Sequence, residues 1–205
     1  MRDLQAHWTN AICNAFALIE DKNALAWSVI DTKSEGAVVR SLALQINRAS
    51  SMSARVEYPP RIDLVVIEET VPIAAFEAKA AYLTDFQPKY IAKRNWYLGP
   101  CVNSDIEKLI SLRTRLPSLQ YFAAIFFIYE VDGTDKQLKY RGRPPVQLAQ
   151  AEAALKSAVY SGNFISTTFI DCGQAHGANV KIHMYLFEPR FDLDKKTGNP
   201  NTDGS

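Results

Sequence analysis

Three charged side chains stand inside two short segments that otherwise resemble protein core. Asp63 belongs to the segment 61–67, and Glu77 and Lys79 belong to the segment 73–80. Both segments are runs of apolar, partly β-branched residues, a pattern typical of buried strands. Charges within buried strands are costly, so their presence indicates a chemical use.

The two segments are expected to pair as neighbouring antiparallel strands. We assume a simple hairpin turn centred near Thr70. The pairs that result are Ile67 with Ile73, Val65 with Ala75, and Asp63 with Glu77. Because side chains alternate between the faces of a strand, Lys79 then lies on the same face as the two carboxylates. The opposite face of both strands is also apolar, so the hairpin has no evident solvent side.

Two carboxylates that face each other on a sheet repel by about 0.2–1 kcal/mol when exposed and by more when desolvated. A hard divalent cation offsets this repulsion, since Mg²⁺ prefers oxygen ligands and takes carboxylates together with phosphate oxygens. Lys79 would lie beside such a cation, contact a scissile phosphate, and orient or deprotonate an attacking water. The alternative is a solvated strand pair in which Glu77 and Lys79 form a surface salt bridge of little consequence.

Asp63, followed fourteen residues later by Glu77-Ala78-Lys79, resembles the signature of the PD-(D/E)xK nucleases, the restriction-endonuclease-like superfamily. The chain departs from the pattern at Pro60, which stands three residues before Asp63 rather than next to it. The resemblance implies a metal-dependent nuclease, most simply a DNA endonuclease of restriction or defence type. Asp63 and Glu77 would bind Mg²⁺, for which Mn²⁺ could substitute, and the backbone carbonyl of Ala78 would be a third ligand.

The order of predicted elements is similar to the core of that family. The segment 24–30 is ambiguous between a strand and a helical turn. Predicted helices cover residues 3–19, 34–47, 104–116 and 146–160. Predicted strands cover residues 53–58, 61–67, 73–80, 119–130, 164–171 and 179–187. The core, about 35–130, has the order helix-strand-strand-strand-helix-strand. The resemblance then implies an α/β (α+β) fold with a restriction-endonuclease-like core, in which helices flank a mixed central sheet. We expect one nuclease-like domain over 1–191 and a disordered tail over 192–205.

Glu35 lies at the start of the second predicted helix, in the same stripe as Val39 and Leu42. One interpretation is a first-turn acid favoured by the helix dipole. The other comes from the resemblance, in which the helix before the catalytic strands often contributes an extra carboxylate to the metal site. Glu35 is thus a provisional additional ligand or nearby acid.

Ser104 and Glu107 have the spacing of a capping box, which predicts a helix that begins at Ser104. Asp105 and Lys108 of this helix match a feature common in the resembled family. We nevertheless interpret them as surface and cap residues.

Cations interleaved with aromatic residues follow the predicted catalytic strand, and a second basic segment follows residue 135. The nucleic-acid-binding candidates are Lys89, Lys93, Arg94, Trp96, Arg141 and Arg143. Such residues can follow a phosphate backbone and stack on bases. The alternative for both segments is a solvated loop.

Composition limits the other expectations. The formal net charge of the 205 residues is +1, so attraction to nucleic acid must come from local patches. Three widely spaced cysteines without a metal-binding pattern favour a reducing cytoplasm. Neither a signal peptide nor a membrane-spanning apolar run is evident. The expected partner is nucleic acid, with DNA favoured over RNA, and a homodimer would suit a duplex cutter. The rival hypotheses are a catalytically silent nuclease-like binding or assembly protein and an enzyme for another phosphorylated substrate.

Overall fold

The computed structural model describes residues 2–32, 35–59, 61–91, 98–133 and 146–190. The segment 24–30, ambiguous in the sequence, is helical. The helices are α1 (Arg2–Ala17), α2 (Lys22–Thr32), α3 (Glu35–Ala49), the short α4 (Pro88–Ile91), α5 (Leu98–Arg115) and α6 (Leu148–Ala158). The strands are β1 (Ser53–Tyr58), β2 (Ile62–Glu68), β3 (Val71–Tyr82), β4 (Tyr121–Gly133), β5 (Gly162–Ala175) and β6 (Ala178–Pro189). A 3-10 turn, Leu83–Phe86, follows β3.

The six strands form one mixed sheet in the order β1-β2-β3-β4-β6-β5. The pair β3–β4 is parallel, and every other neighbouring pair of the sheet is antiparallel. A parallel pair needs a crossover connection, which α5 supplies. The α/β class and the mixed sheet flanked by helices are thereby confirmed. The more specific restriction-endonuclease-like fold stays a prediction.

Hydrophobic cores cover both faces of the sheet. On one face α1, α2 and α3 pack against the sheet around Phe16, Leu42 and Phe127. On the other face α5 and α6 pack around Leu109 and Phe126. Residues 121–129 of β4 are all buried, as expected for an interior strand covered on both faces.

The register of β2 with β3 follows the prediction only in part. Val65 lies opposite Ala75, as predicted. Ile67 lies opposite Pro72 rather than Ile73, because a β-bulge shifts the register immediately before Ile67. A bulge places two residues of one strand opposite one of its partner, which the assumption of a simple hairpin omits.

The start of α5 corrects a second prediction. The helix begins at Leu98, so Ser104 lies inside it and the predicted capping box with Glu107 does not form. Pro100 occupies the first turn, where the backbone N–H groups have no partner within the helix and a proline is tolerated. From the sequence alone, the Gly99-Pro100 pair is typical of a helix boundary, although both residues lie within α5.

Asn103 attaches α5 to the neighbouring elements. Its side chain is 2% exposed. Nδ2 donates hydrogen bonds to the backbone oxygens of Gly99 (2.8 Å) and Ala158 (2.9 Å), and Oδ1 accepts one from the Ser161 amide (2.9 Å). Two of these bonds link α5 to the end of α6 and to the residue just before β5, and the third lies within α5.

We expect Asn103→Ala to lower the free energy of unfolding by about 2–3 kcal/mol, because the substitution leaves buried backbone groups without partners. Urea unfolding followed by circular dichroism measures this change. Ser104→Ala, on the same helix but exposed, is the matched control and should stay within about 0.5 kcal/mol of the wild type. Equal losses in the two variants would contradict the role given to Asn103.

Candidate active site

The site forms where β2 and β3 separate. Asp63 and Glu77, predicted to face each other as a pair, lie one position beyond the last residues joined in the ladder. The separation leaves amide groups of β3 without a strand partner on this side. The Asp63 carboxylate accepts the Ala78 N–H at 2.8 Å, and the Glu35 carboxylate accepts a hydrogen bond from the Ala80 backbone. Hydrogen bonds from these amide groups of β3 therefore fix the carboxylates of Asp63 and Glu35.

Glu77 and Lys79 lie alongside α5 and meet charged residues of that helix. Lys108 Nζ lies 2.6 Å from Glu77 Oε1, and Lys79 Nζ lies 3.2 Å from Asp105 Oδ2. Lys79 Nζ also donates to the Ala78 carbonyl at 3.0 Å. The side chain of Glu77 is 2% exposed, so its ion pair with Lys108 is shielded from water on the side of the carboxylate.

Asp105 and Lys108 are therefore site residues, and their interpretation as surface and cap residues is wrong. That interpretation depended on a helix that starts at Ser104. With α5 starting earlier, the stripe at helical spacing runs through Asp105, Lys108 and the buried Leu112. This spacing places both charged residues beside the packed face of the helix. It is the signal in the sequence that could have found them.

Glu35 belongs to the same group of charges. It begins α3, as expected, and its pKa is affected by the charges of Lys79, Asp63 and Asp105. The structure thus brings together all four predicted catalytic residues, although they come from three separate elements. The carboxylates of Glu35, Asp63, Glu77 and Asp105 outnumber the two ammonium groups of Lys79 and Lys108 by two.

Burial and the excess of negative charge raise the pKa values of these carboxyl groups. Burial raises the pKa of Glu77 to about 8, and the nearby Asp63 adds to the rise although Lys108 opposes it. Burial likewise raises the pKa of Glu35 to about 7, with Lys79 acting in the opposite direction. The pKa of Asp105 is also raised by burial, against the effect of Lys79. Part of the negative charge is therefore neutralised by protons near neutral pH.

Lys79 keeps its proton. Burial on its own would lower the pKa of Lys79, but the charges of Asp105, Glu35 and Asp63 and the hydrogen bond to Asp105 raise it above the usual lysine value. An ammonium group can stabilise developing negative charge and hold a water in place, whereas a general base needs a free electron pair. The geometry thus favours charge stabilisation over water deprotonation for Lys79.

The donor set fits a hard cation in its chemistry. Its oxygen atoms belong to carboxylates and to the Ala78 carbonyl, which suit Mg²⁺ or Mn²⁺, and the local excess of negative charge would be offset by a divalent ion. Within the described ranges, no group of three or more His, Cys, Asp or Glu side chains is arranged as a metal site. Ammonium groups contact Glu77 and the Ala78 carbonyl instead.

The predicted nucleic-acid contacts fall mostly outside the described residues. Lys89 is exposed on α4, which follows the 3-10 turn after β3. The remaining candidates, Lys93, Arg94, Trp96, Arg141 and Arg143, lie outside the described residues, as does the tail 192–205. Among the helices described, none has the length and apolar character to cross a membrane.

The candidate site is built from four elements of the fold. Its residues come from α3, β2, β3 and α5, and they are held by backbone contacts as well as by ion pairs. No protein-family model matches the chain, and neither a curated protein nor a solved structure does. Any functional conclusion therefore depends on this geometry.

Proposed function

We propose that the chain is a metal-dependent nuclease of the PD-(D/E)xK superfamily that hydrolyses phosphodiester bonds, most simply a DNA endonuclease of restriction or defence type. The observation that carries the proposal is the meeting of Glu35, Asp63, Glu77 and Lys79 at the point where β2 separates from β3. A chance Glu-x-Lys sequence gives no reason for the Asp63 and Glu35 carboxylates to accept hydrogen bonds from the backbone of the same strand. The proposal includes a restriction-endonuclease-like core.

Asp63, Glu77 and the Ala78 carbonyl would hold Mg²⁺, or Mn²⁺ in its place. When bound, such an ion polarises a phosphate and makes a water molecule more acidic. Glu35 would add a further carboxylate. A Glu35 that instead stays outside the set of metal ligands, with its pKa of about 7, suits a group that accepts a proton from the attacking water at neutral pH. Lys79 would contact the scissile phosphate and stabilise the charge that develops there.

The expected substrate is nucleic acid, with DNA favoured over RNA. Lys89 on α4 and the basic and aromatic residues outside the described ranges are the candidates for contacts with its phosphates and bases. A homodimer would place two sites on one duplex and allow both strands to be cut. Size-exclusion chromatography with light scattering, with and without duplex DNA, measures the molar mass and shows whether this dimer forms.

A second candidate function is that of a catalytically silent nuclease-like protein that binds nucleic acid or supports an assembly. The observation in its favour is the pairing of Lys108 with Glu77 and of Lys79 with Asp105. The first pair compensates the buried Glu77 and the second the partly buried Asp105, in each case without a metal ion. A protein that only binds its partner could keep these pairs permanently.

Cleavage assays with plasmid DNA, single-stranded DNA and RNA separate the two candidates. Each substrate is incubated with Mg²⁺, Mn²⁺ or EDTA, and the wild type is compared with Lys79→Met. We expect metal-dependent cutting that Lys79→Met slows by roughly 10²–10³-fold, while calorimetry shows that Mn²⁺ still binds.

The matched control is Lys156→Met on α6, where the lysine pairs with Glu152. This variant should cut like the wild type. Failure of folded wild-type protein to cut any substrate or to bind Mn²⁺ would overturn the nuclease proposal. Binding of DNA under those conditions would support the second candidate.

A further inference from the structure

Lys108 satisfies the most buried carboxylate of the site from outside the sheet. Its Nζ lies 2.6 Å from Glu77 Oε1 and also donates to the Arg61 carbonyl. A carboxylate as buried as that of Glu77 is very costly without a proton or a positive partner. Lys108 therefore lies where a cation favours the ionised form of Glu77.

The two lysines of the site differ in how firmly they are held. Lys79 contacts the Asp105 carboxylate and the Ala78 carbonyl, and its own strand lies inside the sheet. Lys108 extends from a helix, and its exposed fraction of 35% is close to the 33% of Lys79. The charges of Asp105, Glu35 and Asp63 all favour the Lys79 ammonium, whereas Lys108 contacts one carboxylate and one backbone carbonyl. A lysine of this kind can move its ammonium group into solvent while its methylene stem stays packed. Departure from the site is thus easier for Lys108 than for Lys79.

We propose that Lys108 occupies the position of the divalent cation in the metal-free protein and leaves Glu77 when Mg²⁺ binds. This inference rests on the proposed metal site and identifies a positioning residue that the sequence pattern did not assign. The exchange replaces one positive charge next to Glu77 with two, which reduces the local excess of negative charge. Lys79 keeps its contact with Asp105 during the exchange, gives up the Ala78 carbonyl to the metal ion and remains available to the phosphate.

Amine labelling tests the exchange directly. The full chain is treated briefly with acetic anhydride, with and without Mg²⁺ and in the absence of nucleic acid, and lysine modification is read by peptide mass spectrometry. Release of the Lys108 ammonium from Glu77 into solvent should raise its labelling severalfold. Lys156 is the internal control and should not change. Asp63→Asn should remove the effect of Mg²⁺ on Lys108.

A substitution that keeps the charge gives a second, independent measurement. In Lys108→Arg the guanidinium can grip the Glu77 carboxylate with two hydrogen bonds and should leave less readily. We expect Mg²⁺ binding, measured by calorimetry, to weaken roughly three- to tenfold. Lys156→Arg is the matched control and should bind as the wild type does.

The outcomes separate this inference from the function on which it rests. Mg²⁺ binding that depends on Asp63, together with unchanged Lys108 labelling or unweakened binding in Lys108→Arg, would overturn the inference and leave the nuclease proposal in place. Absence of any Asp63-dependent Mg²⁺ binding would overturn both.

Discussion

Asp63→Asn is expected to reduce Mg²⁺-dependent DNA cleavage by about 10³-fold or more, because loss of one carboxylate removes a metal ligand and the transition-state stabilisation that depends on it. The fold should survive the change. The Asp63 carboxylate accepts the Ala78 N–H at 2.8 Å, and the amide oxygen of asparagine can accept the same bond. Plasmid nicking under saturating Mg²⁺ measures the loss.

The control for this substitution makes the same chemical change elsewhere. Asp132 is exposed on β4, and Asp132→Asn should leave the cleavage rate unchanged. Thermal unfolding of both variants checks that each is folded. An Asp63→Asn protein that cuts within tenfold of the wild type would remove Asp63 from the metal site and with it the nuclease proposal as stated.

The stability of the wild type is expected to fall as the pH rises from 5 to 9 in EDTA. The pKa of Glu77 is raised to about 8 and that of Glu35 to about 7, mainly by burial. A carboxyl group whose pKa is higher in the folded state binds its proton more tightly there, so its contribution is complete below the unfolded-state value. That contribution is lost as the pH rises through the folded-state value.

Glu77→Gln should remove much of this pH dependence, since glutamine imitates the protonated acid at every pH. At pH 9 we expect the variant to be more stable than the wild type by about 2 kcal/mol, which corresponds to an unfolding temperature higher by roughly 4–8 °C for a chain of this size. The same variant should lose metal-dependent cleavage, so stability and activity would change in opposite directions. Differential scanning calorimetry at pH 5, 7 and 9 measures the effect.

The matched control is Glu107→Gln, at an exposed position of α5. It should follow the pH dependence of the wild type. If Glu77→Gln is instead less stable than the wild type at pH 9, Glu77 is ionised and fully compensated by Lys108 in the folded protein. The argument from burial would then be wrong.

The part of the site carried by neighbouring strands could be predicted from the sequence. The apolar runs around Asp63 and Glu77 identify the two strands, and the alternation of side chains places Lys79 beside Glu77. Glu35 could be proposed from helical spacing, but only as one of two alternatives. The assumed turn centre at Thr70 gives the correct opposition of Val65 and Ala75, whereas the pairing predicted for Ile67, which lies between the bulge and the turn, is wrong.

The part that depends on distant packing could not be predicted in the same way. Whether Asp105 and Lys108 reach β3 depends on how α5 crosses the sheet and on where the helix begins. Gly99 and Pro100 are typical of a turn, and they conceal a helix that is stabilised by tertiary contacts such as those of Asn103. The bulge before Ile67 similarly depends on strand twist and turn geometry, and the apolar pattern does not predict it.

The crossover by α5 also bears on the order in which the chain folds. Strands β1, β2 and β3 are consecutive, so they can associate through contacts that are short in sequence, whereas α5 and β4 must dock over a longer separation. Were the three-stranded meander to form before α5 docks, Glu77 would lie in water and its charge would cost little. The docking that dehydrates Glu77 is the same event that delivers Lys108 to it. The Glu77 carboxylate is therefore not buried before Lys108 is in place to compensate its charge.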